Sequence, residues 1–213
     1  MFPHHWKSDK IHAEAIPLAL TENKRAQGIV IRALAKYPRE MLNNNLRTVY
    51  VLNSISFYGV PYGGTSSTKK KAVYLTDDPQ FGKDDEFLES LFHHEFAHLL
   101  YHQYSQYLSK KKWKASNPVG FRYGNGGVEA IRTGDSSMEY DSLLNAKGFL
   151  NSYCQSSLDE DFHVFSQNLF NGGKKFWNVV DHYEKIREKM HMAVNFYNEI
   201  NPLFTEEYFR KLD

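Results

Sequence analysis

The chain has 213 residues, 41% of them hydrophobic, 15% aromatic and 24% charged, and its formal net charge is +1. That balance belongs to a globular protein long enough to bury a sizeable core, and it excludes a disordered chain. Near-neutrality supplies no global field to draw in nucleic acid or an anionic membrane.

Cys154 is the only cysteine, so there is no internal disulfide and no cysteine-rich zinc knuckle. No stretch approaches the ~18 apolar residues that a spanning helix needs. The first ten residues, MFPHHWKSDK, lack the apolar core of a signal peptide. They read either as a cytosolic start or as a chain whose export signal has been removed, with His4 and His5 in a disordered terminus.

Taken in chain order, residues 21–42 (TENKRAQGIVIRALAKYPREML) read as a helix. Thr21 is its cap, Ile29, Val30, Ala33, Leu34 and Tyr37 its apolar face, and Pro38 its end. Residues 46–60 are rich in β-branched and aromatic side chains and predict one or two strands. PYGGTSSTKKK reads as a turn-rich loop, and AVYLT (72–76) as a further strand. Residues 84–109 give the clearest helix, free of Gly and Pro, with Asp84 or Asp85 at its start. A basic, irregular stretch with Pro118 and several glycines follows. Its lysines (Lys110–Lys112) suit a solvated helix end, and Gly124, Gly126 and Gly127 suit a mobile loop over a cleft. Helical patterns then come at 137–153 and 158–170, and a long amphipathic one runs from 174 to 200. In that last helix Phe176, Val179, Tyr183, Ile186, Met190 and Tyr197 form a core stripe, and a short helix follows Pro202.

Within the clearest helix stands HHEFAHLLYH (93–102). Residues four apart share a helix face, so two pairs of histidines can offer imidazoles to one ion, His94/His98 and His98/His102. Only the first is followed by a carboxylate. Glu95 sits about a quarter-turn round, able to reach a metal-bound water without ligating the metal, as H-E-x-x-H chemistry requires. Chance would yield roughly 0.03 such pentads in a chain of this composition. His93 has no partner at the right spacing and reads as a packing or surface residue, and His102 as a surface histidine.

A hydrolytic zinc site needs a third protein ligand. No glycine and histidine follow at metzincin spacing, which leaves a carboxylate from further along: Glu129, Glu139, Glu160 or Asp161. Ser157 or Asp159 can cap a new helix that puts Glu160 in its first turn, facing the core beside Phe162 and Phe165. Taken with the pentad, G-F-x-x-x-Y-x-x-x-x-x-x-E-D-F (148–162) resembles the gluzincin metallopeptidases of the lethal-factor type, and especially the zinc-binding metallopeptidases, often lipoproteins, of Bacteroidetes. The resemblance covers about residues 84–170.

That resemblance implies an α+β, zincin-like fold in which a small twisted sheet packs on the H-E-x-x-H helix above a mainly helical C-terminal lobe. One metallopeptidase domain spans 1–213, with an upper lobe at 1–109 and a lower lobe at 110–213. The resemblance also implies Zn²⁺ held by His94, His98 and Glu160, with Glu95 as general base and Tyr153, seven residues before Glu160, as hydrogen-bond donor to the oxyanion. Read from the residues alone, Tyr153 could equally be an aromatic core residue. AVYLT would be the edge strand that pairs with a peptide or protein substrate. A lipid anchor on the precursor and an extracytoplasmic place follow, with a cytoplasmic one left open, and no nucleic-acid partner. Where the family continues E-D-F-A-E, this chain has His163 and Val164 after Phe162, and contact between His163 and the site stays open. The other reading of the same site is a zinc-binding surface protein without turnover, serving as a scaffold.

Overall fold

The computed structural model describes residues 2–78 and 84–212. The chain divides into two compact units, Met1–Gln103 and Tyr104–Asp213. No helix among the described residues is long and apolar enough to cross a membrane.

The first unit contains β1 (Glu14–Pro17), α1 (Asn23–Ala35), α2 (Arg39–Asn45), β2 (Thr48–Phe57), β3 (Val60–Tyr62), β4 (Gly64–Ser67), β5 (Ala72–Thr76) and nearly all of α3 (Asp85–Tyr104). The helix expected over 21–42 is two helices. A 3₁₀ turn at Leu20–Glu22 delays the start to Asn23, so Thr21 is not its cap. Pro38 disfavours a helical conformation in the residue before it and becomes the N-cap of α2. Ala26, Ile29 and Ala33 carry the buried face of α1.

The sheet runs β1-β2-β5-β4, with β3 paired to β2 off that path. β2 is parallel to β5, from Thr48↔Ala72 to Leu52↔Thr76. The other pairings are antiparallel. Two expectations change here. PYGGTSSTKKK is not a loop, because it supplies β3 and β4. AVYLT is not an edge strand either, since β2 and β4 flank it on both sides and all five of its residues are buried, as in a strand covered on both faces. The edge belongs to β4. At the N-terminus Phe2 is buried and Trp6 packs at 5.3 Å on Phe57 and 5.4 Å on Tyr74, so His4 and His5 lie in a short 3₁₀ turn (His4–Lys7) rather than a disordered end.

The second unit is helical: α4 (Lys110–Ala115), α5 (Gly127–Thr133), α6 (Ser142–Asn145), α7 (Leu158–Asn171), α8 (Gly173–His182), α9 (Glu184–Ile200) and α10 (Glu206–Arg210). The basic run begins a helix, capped by Ser109, instead of ending one. The expected helix over 174–200 breaks at Tyr183, whose φ of −117° and ψ of 112° are extended. Tyr183 and Val179 are accordingly only partly covered, whereas Phe176, Ile186, Met190 and Tyr197 are fully buried. The fold class is α+β, a small mixed sheet in the first unit followed by a helical C-terminal part.

Candidate metal centre

α3 begins where sequence places it. Asp84 Oδ1 accepts from the Glu86 N–H at 2.7 Å, and its carbonyl accepts from Leu88. The helix has no single apolar stripe, and residues on every side are covered, His93 through Ala97 and Leu99 through Tyr101 among them. The helix expected over 84–109 ends at Tyr104, where a 3₁₀ turn (Ser105–Tyr107) follows. His94 and His98 lie on one face with ring centroids 5.2 Å apart. His94 and Glu95 are each 6% exposed, and His98 is the more open of the two histidines.

The double glycine of PYGGT lets the sheet edge lie flush on this helix. A Cβ at Gly63 would meet Leu91 Cδ2 at 3.3 Å, and one at Gly64 would meet Glu95 Cγ at 3.0 Å and Oε1 at 3.1 Å. Gly64 thus abuts the glutamate of the pentad, an i,i+4 echo of the Gly63–Leu91 contact.

His93 points elsewhere, as its spacing implied. It is fully buried, with Nδ1 2.9 Å from the Tyr37 hydroxyl and Nε2 3.8 Å from Glu89. Burial, with the Lys36 charge adding to it, pushes its pKa down to about 4, so it is a neutral core imidazole at pH 7. Burial alone would raise Glu89. Hydrogen bonds from His93, Lys36 and Arg32 overcome that and hold its carboxyl at about 2. His102 is exposed.

In the second unit, the Ser157 Oγ accepts from the Glu160 N–H at 3.0 Å and caps α7, so the cap is Ser157 and not Asp159. Glu160 is the third helical residue, its side chain 14% exposed. Tyr153 opens the 3₁₀ turn Tyr153–Gln155 just before it. The glycine-rich segment is tied to that turn: Gly124 N–H donates to the Gln155 carbonyl at 2.9 Å and Gly126 N–H to that of Ser156 at 2.8 Å. Gly126 has φ +101°, a conformation only glycine adopts readily. Of these glycines, expected in a mobile loop over a cleft, Gly124 and Gly126 lie outside helices and strands, and Gly127 opens α5 against Tyr153 and Glu160.

The other carboxylates considered as ligands are engaged elsewhere or exposed, and none belongs to the donor group of His94, His98, Glu160 and His163. Asp161 is fully buried, and its Oδ2 accepts from Trp113 Nε1 (2.9 Å), the Tyr123 hydroxyl (2.6 Å) and Lys189 Nζ (2.7 Å). Lys189 in turn lies 4.1 Å from the Phe149 ring centroid. Burial, then the Asp161 charge, drives the Tyr123 hydroxyl well above the usual tyrosine range. Glu129 is exposed on α5, and Glu139 is exposed and faces Lys175 at 3.7 Å. Cys154 is a buried free thiol, raised well above the ordinary value by burial and then by Asp161.

His163, whose contact with the site was left open by sequence and which was not counted among the ligands, belongs to the donor group. It stands three residues after Glu160 on the same helix face, 1% exposed, with Nδ1 4.0 Å from Glu160 Oε2. The E-x-x-H spacing was the available signal. One ligand atom from each of His94, His98, Glu160 and His163 lies within 4.8 Å of the others, a group able to hold a metal ion.

A mixed sheet, a buried H-E-x-x-H helix and a helical C-terminal part make a metallopeptidase-like fold. No family model matches the chain, and none of the curated proteins does. Among solved structures it is similar to one described as a "putative zinc-binding metallo-peptidase from Bacteroides caccae ATCC 43185". The TM-score is 0.60 and the identity 18%, over 96% of this chain and 79% of that one. At that identity the likeness is one of fold.

Proposed function

We propose that the chain is a zinc-dependent peptidase of the gluzincin type, with His94, His98 and Glu160 as metal ligands and Glu95 as general base. The observation that carries this reading is the donor group itself, which includes the two pentad histidines and the carboxylate of the E-D-F triplet. Its chemistry suits zinc, which takes imidazole nitrogen and carboxylate oxygen.

A zinc ion held there supplies a Lewis acid and acidifies water towards neutral pH. Glu95 then takes the proton of the attacking water and hands it to the leaving amine. The Tyr153 hydroxyl donates a hydrogen bond to the carbonyl oxygen as it gains charge, which favours the transition state over the bound substrate. The substrate backbone pairs with the free edge of β4, the strand that abuts Glu95, in the role first given to AVYLT. The triplet and pentad support kinship with the Bacteroidetes metallopeptidases and the lethal-factor type, and with it a lipid-anchored, extracytoplasmic precursor.

A specific observation favours one second reading. If His163 fills the fourth position, the site is closed, as in structural zinc centres, and the protein is a zinc-binding scaffold without turnover. Metal analysis and a peptide-library assay on the same preparation decide. The peptidase reading expects one zinc per chain and cleavage that Glu95→Gln lowers by about 10²- to 10⁴-fold with zinc retained. Stoichiometric zinc with no cleavage of any peptide supports the scaffold, and absence of zinc sinks both.

A further inference from the structure

We infer that Gly127 is a positioning residue for the metal centre: the missing side chain at this position seats both Glu160 and Tyr153. The inference rests on the reading of Glu160 as a ligand. A Cβ built on Gly127 would stand 2.8 Å from Glu160 Oε1 and 3.1 Å from Tyr153 Cζ, and nearer still to the Tyr153 hydroxyl oxygen. Real Cβ atoms essentially never come within 3.0 Å of such neighbours. The carboxylate oxygen and the hydroxyl therefore converge on one backbone atom, and each occupies space that any other residue at position 127 would fill.

This backbone is not free to retreat. Gly124 and Gly126 are hydrogen-bonded to Gln155 and Ser156, on the turn that carries Tyr153, so a push from position 127 displaces the side chains first. Gly127 also differs from its neighbour Gly126. Gly126 needs glycine for its positive φ, whereas Gly127 begins the helix α5 with no such constraint. Alanine at 127 suits the backbone and is a better helix former than glycine. A purely structural role would make that substitution neutral or stabilising. A positioning role makes it harm the metal site alone.

The test compares wild type, Gly127→Ala and Gly127→Ala/Tyr153→Phe. Competition with a zinc chelator reads metal affinity, and thermal unfolding of the metal-free proteins reads the fold. Gly127→Ala is expected to weaken zinc binding by about 10- to 100-fold, the usual cost of disturbing a ligand's support, with the metal-free unfolding midpoint unchanged or raised. The double variant, which removes the nearer of the two oxygens, is expected to regain most of the loss. Zinc affinity equal to wild type in Gly127→Ala overturns the inference. A crystal structure of metal-free Gly127→Ala keeps this separate from the ligand assignment. A displaced Tyr153 ring or Glu160 carboxylate supports the packing claim even if wild type binds no zinc, and unmoved atoms overturn it.

Discussion

α3 and α7 each carry part of the donor group, and they hold it in opposite ways. His94 and His98 project from the middle of a twenty-residue helix enclosed on every side, where i,i+4 spacing alone aligns them. Glu160 projects from a first turn, which by itself aligns nothing. Its place depends on the Ser157 cap, on the glycine segment at 124–127, and on a buried ion pair one residue further along. A helix interior is a rigid mount whose geometry is local. A helix terminus becomes one only when distant residues brace it.

The comparison breaks most visibly at Asp161. Replacing it by alanine leaves the Lys189 ammonium buried without its carboxylate, and loss of one partner from such a pair costs about 3–5 kcal/mol. Urea unfolding should show that loss, and a change below about 1 kcal/mol would mean that α7 is braced by packing alone. The buried charge of the first unit gives the next effect. Glu89 has a folded pKa of about 2 against an ordinary 4.5. A carboxyl lowered on folding adds stability above its unfolded pKa and loses it as pH falls through the folded one. Stability should therefore drop by on the order of 3 kcal/mol between pH 4.5 and 2. Glu89→Gln should flatten that part of the pH profile, and an unchanged profile would place the acid sensitivity elsewhere.

The smallest effect is the most selective. At Gly64 an added Cβ presses on Glu95 and, at 3.2 Å, on the Tyr74 carbonyl, so the carboxylate must shift. On the proposed function, Gly64→Ala is expected to lower kcat by about tenfold while zinc content stays at wild-type level, because Glu95, proposed as general base, would forfeit part of its contribution and the histidines of α3 are untouched. Loss of zinc in this variant would show that β4 supports the ligands as well as Glu95. Set beside Gly127→Ala, it separates the glycine that abuts Glu95 from the one that abuts Glu160.

How much could be read from sequence follows the same division. The pentad, its helix and its Asp84 cap were legible because each rests on neighbours within a few residues. The reading of α7 was sound for the same reason, with the structure choosing Ser157 over Asp159 as its cap. AVYLT was recognisable as a strand, but its interior position was not, since order in a sheet is settled by pairing with β2 and β4. Gly64 and Gly127 looked like loop residues, though they open β4 and α5, because sequence shows what glycine permits and not what approaches it. His163 was left open as a neighbour of the site because its E-x-x-H spacing from Glu160 was not used, and the break at Tyr183 left no mark in an amphipathic pattern that continues across it.

The ion pair between Asp161 and Lys189 has a consequence for how the protein is made. Lys189 lies within α9, while the pentad is synthesised some ninety residues earlier. Until α9 docks, Asp161 cannot enter the core without carrying an uncompensated charge into it. Setting of the turn that presents Glu160 is thus tied to the docking of α9, whereas the two histidines of α3 need only their own helix.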